Sequence, residues 1–388
     1  MREQPSYHPI LAPRRPMWRI FLAPLLLLLA GLGWSAFWFY AAGETEAVVD
    51  RWRDREAKSG REYGCGARDV AGYPFRFELS CAPASIGLTS MSPPARARLD
   101  RLRIVAQVYD PGLLIAEFSA PMTVGGGDMA GQAVLTWKLA QASLRGAPEA
   151  PQRASLVVDD LAAAAPEGAA WARAGHLELH GRPAADALPD KPALDLALRL
   201  QSASAPALHA LAAEPFDADI EVTLRGLHDL APKPWPQRLR DIQAADGRIE
   251  VRQARVRQGD LAATASGALA IDAAGHLKGE LNLVVAGIEK VIAPLGLEAL
   301  LAKTEPQTGL PGLNAGDVNS LIGALDSIVP GLGNIARRGA GAGVAAALNA
   351  LGKPAELDGR SALALPLRFA DGAIYLGPLQ VGRTAALF

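Results

Sequence analysis

A mainly β protein with some α is predicted: an N-terminal transmembrane helix, then a long curved antiparallel sheet, grooved, with a few packed helices. Three observations carry this. The stretch Met17–Ala42 holds a single charge, Arg19. Beyond Gly60, apolar and polar residues alternate with period two through most of the chain. Turn residues punctuate that alternation, among 39 glycines and 29 prolines.

The apolar stretch comes first. From Ile20 to Ala42 it is uninterrupted, long enough to cross a bilayer at about 1.5 Å per residue. Trp18 stands at one edge, and Trp34, Trp38 and Tyr40 gather toward the other, where amphipathic rings favour the membrane interface. Arg2, Arg14, Arg15 and Arg19 precede the span, so residues 1–16 should stay cytoplasmic and the rest be exported. A cleaved signal peptide is disfavoured. The apolar run is too long, and bulky rings in "FWFYAAG" crowd the small-residue positions before a cut. Residues 17–42 are therefore read as an uncleaved signal anchor.

Residues 43–59 read as a linker helix continuing out of the membrane. Val48, Val49, Trp52 and Glu56 fall at helical spacing, and Gly60 is a C-terminal stop. Trp52 is expected to pack on the domain that follows, residues 60–388. In "FRFELSC", Phe75, Phe77, Leu79 and Cys81 share one face and Arg76, Glu78 and Ser80 the other. Gly72-Tyr73-Pro74 reads as the turn before that strand. The chain's two cysteines, Cys65 and Cys81, lie here. In an oxidising compartment two such thiols should pair, and the bond would tie this strand to the end of the anchor helix. Two buried free thiols are the alternative. No histidine lies nearby to complete a metal site.

The period-two pattern recurs down the chain, for example in "RLRIVAQVYD" and "LLIAEFSAP", with Asp110-Pro111-Gly112 as the turn between them. Leu194, Leu196, Leu198 and Leu200 oppose Asp195 and Arg199 in "ALDLALRLQSAS". Leu281 and Leu283 behave likewise in "GELNLVVAGI". The result is an antiparallel meander with one wet and one apolar face. Helical patterns are few: "PALHALAAEPF", and a segment at 287–352 whose second half is rich in alanine and glycine.

Little here points to chemistry. With Lys+Arg 39 against Asp+Glu 40, no basic excess argues for nucleic acid. His176, Glu178 and His180 in "HLELH" share one side of a strand and could hold a metal. The solvent face of an amphipathic strand explains them better, so no metal or cofactor is expected. "GAGAGV" lacks the Lys-Ser/Thr ending of a phosphate loop, and no nucleophile elbow or His-Glu-x-x-His motif is present. The chain is expected not to be an enzyme. The apolar face is the feature of interest. It could close over helices as a core, or leave a trough for an acyl chain lined by Leu194, Leu196, Leu198, Leu281 and Leu283.

One block carries a resemblance. Cys65, the run Gly72-Tyr73-Pro74-Phe75-Arg76-Phe77 and Cys81, with the preceding span, the Trp52 helix and the terminal "DGAIYLGPLQVG", resemble the domain of unknown function 2125 family of Gram-negative envelope proteins. The likeness covers nearly the whole chain. That family brings no established activity and no catalytic residues. In architecture it looks like the AsmA-like group, anchored proteins with long grooved sheets associated with lipid movement across the periplasm. The resemblance implies a single-pass inner-membrane protein with a periplasmic domain that binds, shields or helps move lipid or another apolar envelope component. An envelope scaffold or assembly factor binding protein partners through its sheet is the alternative.

Overall fold

The computed structural model describes residues 18–91, 94–126, 132–146, 151–168, 170–188, 190–207, 210–230, 233–287, 352–376 and 379–388. The helical pattern expected at 287–352 therefore lies almost wholly outside the described residues.

A single helix, α1 (Trp18–Lys58), runs 41 residues from the apolar segment into the charged one. Its part from Phe21 on is long and apolar enough to cross a membrane. The helix ends where the sequence supplies a left-handed residue. Gly60 has φ +75°, and its N–H donates to the Ala57 carbonyl at 3.0 Å. A Cβ there would meet the Ser90 Cβ at 2.7 Å, so only glycine fits.

The chain then enters β1 (Arg61–Ala71), β2 (Arg76–Leu88), β3 (Ala95–Gln107) and β4 (Asp110–Gly126). Next come β5 (Ala133–Thr136), β6 (Leu139–Arg145), β7 (Arg153–Ala164), β8 (Ala170–Pro183) and β9 (Leu194–Ala203). After a short 3-10 turn at Ala210–Ala212, β10 (Phe216–Arg225) leads to α2 (Trp235–Ala244). The strands β11 (Arg248–Gln258), β12 (Leu261–Ile271) and β13 (Leu277–Ala286) follow. Last are β14 (Lys353–Leu357), β15 (Arg360–Ala370), β16 (Ala373–Leu376) and β17 (Leu379–Arg383). The 17 strands among the described residues form one antiparallel sheet, in which nearly every strand pairs with its neighbour in sequence. Short strands share an edge in two places: β5 and β6 both bridge β4 to β7, and β14 and β16 lie along one edge of β15.

Four details differ from the sequence reading. First, Cys65 lies not at the end of the helix but in β1, opposite Ala84, and β1 pairs with β2 along its length. The Cys65–Cys81 link thus joins two strands rather than a strand to the helix. Second, the β3–β4 turn is Val108-Tyr109, and Asp110, Pro111 and Gly112 begin β4. The register shifts at Ala106/Gln107, and such an irregularity accepts a proline that cannot donate to the ladder. Third, Phe75 belongs to the β1–β2 turn and is 66% exposed, while Phe77 faces inward. Fourth, among the described residues of "PALHALAAEPF" one short 3-10 turn forms at Ala210–Ala212, and Pro215 precedes Phe216, which already pairs with Ala203.

The sheet is thinly covered. Among the described residues the largest fully buried side chains are Ile242 and Thr223. Packing is divided among small clusters. In one, α2 lays Ile242 over Leu224, Leu227 and Ile271, with Leu387 and Phe388 closing it. In another, Cys81, Ala84 and Leu99 pack with Leu102, Phe118 and Met122.

Candidate functional site

Residues directly opposite in an antiparallel pair point to the same face. Following the register from strand to strand gives one continuous row. Val70 lies opposite Leu79, then come Ile104, Ala116, Ala142 and Leu156. The row continues through Leu179, Leu198, Ile220, Ala254, Ala265, Leu283 and Leu365. Thirteen strands thus contribute one apolar residue each, with no polar interruption. Leu365 is buried at 2% exposure and Leu179 is open at 41%; every other member is half-buried.

The leucines singled out in the sequence all fall on this face. Leu198 and Leu283 are members of the row. Leu196 and Leu281 share the next one, through Val222, Val251 and Gly267. Leu194 lies one row further, opposite Leu224. The end of these strands beside Leu194 and Leu196 is covered by the α2 cluster. That helix escaped the sequence reading. Its signals were a proline near its first turn and the Leu239–Ile242 spacing in "WPQRLRDIQA".

The opposite face carries charge. The neighbouring row includes Arg103, Glu117, Glu178, Arg199, Asp219 and Arg255 in register. Arg199 reaches Glu178 at 3.6 Å and Asp219 at 3.5 Å. A cleft on this face is lined by Arg199, Gln201, Asp217, Asp219, Gln253 and Arg255, a polar lining unsuited to an acyl chain. Asp195, expected on the wet face, is buried at 7%. It tolerates this because Thr223 donates to it at 2.8 Å and Arg182 and Arg252 flank it.

His176, Glu178 and His180 do share one side of β8, and their partners come from within the sheet. His176 contacts Glu178 through Nε2 at 2.8 Å and Asp159 through Nδ1 at 2.6 Å. His180 contacts Glu178 at 3.2 Å and the Ser155 hydroxyl at 2.9 Å. Both ring nitrogens of each histidine are therefore engaged. Among the described residues no group of three such side chains is arranged to hold a metal. The hydrogen bond to Glu178, reinforced by that to Asp159, raises the His176 pKa. The hydrogen bonds from His176 and His180 lower that of Glu178.

The third feature joins the sheet to the anchor. Strand β1 folds back along α1. Arg61 pairs with Glu56, Trp52 packs on Tyr63 at 4.6 Å and Arg68 pairs with Asp50 at 2.8 Å. The hydrogen bond from Arg68 holds the Asp50 carboxyl below its ordinary pKa. Further down, the Gly72–Phe77 block docks on the helix. Trp38, 3% exposed, stacks on Phe77 at 5.7 Å and meets Tyr73 edge-on at 5.5 Å. Its indole N–H donates to the Arg76 carbonyl at 3.1 Å. The Trp34 indole donates to the Pro74 carbonyl at 2.9 Å, and Ser35 shares a 2.8 Å hydrogen bond with the Tyr73 hydroxyl. Gly72, at φ +103°, makes the bend, and its carbonyl accepts from the Arg76 N–H at 3.1 Å. Cys65 and Cys81 lie at disulfide distance in the same hairpin, their Cα atoms 5.4 Å apart.

These features define a class: a one-sheet β protein carried on a long apolar helix, with its first hairpin clamped to that helix. The comparison with known families agrees. The model of the domain of unknown function 2125 family, described as an uncharacterized protein conserved in bacteria, matches residues 38–385, and the chain belongs to that family. The match does not extend to the AsmA-like group. Neither the comparison with curated proteins nor that with solved structures gives a match. The matched region begins at Trp38, the residue at the centre of the clamp.

Proposed function

We propose that this protein is a single-pass inner-membrane protein, its N-terminus cytoplasmic and its β domain periplasmic. In this reading the apolar face of the sheet binds, shields or helps move lipid or another apolar envelope component. The protein acts without catalysis. The observation that carries the reading is the unbroken apolar row from Val70, next to the anchored hairpin, to Leu365. Eleven of its thirteen members are half-buried, where a close-packed core would hide them and a plain solvent face would not be uniformly apolar. Acyl chains need such non-directional apolar area and few polar partners. The orientation follows from the arginines before the span. The scaffold reading draws on the charged opposite face, which suits a protein partner through electrostatic complementarity.

Lipid mass spectrometry on the full chain, purified in mild detergent, tests this alongside Leu198→Trp and Leu283→Trp, both members of the row. A row with free volume accepts the larger ring, so melting stays unchanged while co-purified phospholipid falls. In a filled core the same change costs about 1–3 kcal/mol through overpacking. Lower melting with unchanged lipid per folded molecule would overturn the lipid reading. A stoichiometric protein partner without lipid would support the scaffold.

A further inference from the structure

We infer that the tips of the β1–β2 and β3–β4 hairpins insert into the bilayer leaflet from which α1 emerges, so that the sheet is seated in the membrane beside its anchor. This rests on α1 spanning the membrane, as proposed above, and not on the sheet carrying lipid. The first argument is position along the helix. The hairpin docks at Trp34, Ser35 and Trp38, below Glu44, the first charged residue after the apolar run. At about 1.5 Å per residue, that places the turn roughly 9–15 Å below the charged segment. A hydrocarbon core about 30 Å thick, counted from Ile20, ends near Tyr40, so the turn lies within the final stretch of the span.

The second argument is surface chemistry. Phe75 is 66% exposed and Tyr73 50%. Tyr109, at the tip of the next hairpin, is 76% exposed. The two tips are joined: the Val108 N–H donates to the Phe75 carbonyl at 3.0 Å. Beside them, Phe39 and Tyr40 of the helix are also exposed. An aromatic cluster open to water is costly, whereas amphipathic rings favour the interface layer.

The third argument is polar satisfaction. Backbone in lipid must find partners within the protein. The carbonyls of Gly72, Pro74, Phe75 and Arg76 accept, respectively, from the Arg76 N–H, the Trp34 indole, the Val108 N–H and the Trp38 indole. The Tyr73 hydroxyl is held by Ser35. These polar atoms of the turn are thus satisfied by the helix and the neighbouring strands, while the Phe75 ring stays open. Arg76, at the rim, pairs with Glu78 at 3.2 Å, and its long stem allows the head to reach the headgroups.

The test uses the full chain in nanodiscs of phosphatidylethanolamine and phosphatidylglycerol. Single substitutions Phe75→Cys, Tyr109→Cys, Leu28→Cys and Ser90→Cys each carry an environment-sensitive fluorophore. All four sites are exposed, so labelling leaves packing intact, and Cys65 and Cys81 are bonded to each other. Ser90 marks the opposite end of the same hairpin. Lipids bearing a nitroxide quencher near the headgroup end of the acyl chain should quench the labels at 75 and 109 and spare that at 90. A nitroxide near the methyl end should quench the label at 28. Quenching at 28 with none at 75 and 109 would overturn the inference and leave the anchor standing. No quenching at 28 would remove the anchor, and the inference with it.

Discussion

Trp38 clamps the β1–β2 hairpin to the helix, and Trp38→Ala should release that hairpin without unfolding the sheet. The substitution removes a stack on Phe77 and an edge contact with Tyr73. Such aromatic pairs contribute about 0.5–1.5 kcal/mol each. It also removes the hydrogen bond to the Arg76 carbonyl, about 1 kcal/mol in net terms. Together these give roughly 2–4 kcal/mol. That lies at the lower side of the 3–5 kcal/mol or so typical of a Trp→Ala change in a core, because Trp38 packs on one hairpin rather than inside a filled core. Hydrogen exchange followed by mass spectrometry reads the effect locally. At about 1.4 kcal/mol per tenfold, amide protection across Ala71–Leu79 should fall by roughly 30- to 1000-fold. Trp38→Phe keeps a ring and loses only the indole N–H, so its effect should be nearer fivefold, or about 1 kcal/mol. Unchanged exchange in Ala71–Leu79 would refute the clamp. So would an equal loss in β15, which would make Trp38 a general stability residue.

Three further outcomes follow from other sites. Cys65→Ser opens a link of sequence separation 16 and should lower stability by about 3 kcal/mol in equilibrium denaturation, a difference that vanishes when both proteins are reduced. His176 should titrate above the ordinary histidine value of about 6.5 in an NMR pH series, and Glu178→Gln should bring it back down. Because its pKa is raised by folding, its stabilising contribution is full below about pH 6.5 and fades as pH rises through the raised value; a change in the other direction would contradict the Glu178 contact. Asp219→Arg puts like charges opposite Arg199 and Arg255 and should cost about 1–2 kcal/mol in thermal denaturation, reduced by added salt. A cost unaffected by salt would mean that the loss is one of packing.

Much of the architecture is legible in the sequence, because period-two alternation is a local signal. "ALDLALRL" announces its face whatever it pairs with. The span and its helical continuation to Lys58 are legible for the same reason. What the sequence hides is partnership. "REYGCGARDVA" carries two glycines and two alanines among charges, so β1 shows weak alternation and is recognisable only through its pairing with β2. The position of the β3–β4 turn was obscured by Asp110-Pro111-Gly112, turn-forming residues that the strand absorbs at a register shift. The Trp38–Phe77 stack joins residues far apart in the chain. Trp38 reads in isolation as one more interfacial aromatic, and nothing local separates a lipid-facing ring from a buried one.

The two faces of the sheet answer different folding problems. An apolar row with period two keeps its face inward if a strand slips by two residues, so the row cannot by itself fix register. Tight turns fix it where they exist, as at Val108-Tyr109 and at Gly259-Asp260. The connections on either side of β10 are longer: 204–215 before it, and 226–247, containing α2, after it. There the charged face becomes dense. β10 presents Asp217, Asp219 and Glu221, and β11 presents Arg252, Arg255 and Arg257. Arg199 of β9 meets Asp219, and Arg257 of β11 meets Asp217. Buried Asp195 opposes Thr223 and bonds to it, and a slip by two residues one way would break that bond and set the carboxylate against Glu221. Exposed pairs contribute only about 0–1 kcal/mol each, so their role is to choose among pairings of similar apolar content. The apolar face is thereby relieved of specifying register and is free to remain a uniform, half-covered surface, which is the property the lipid reading requires.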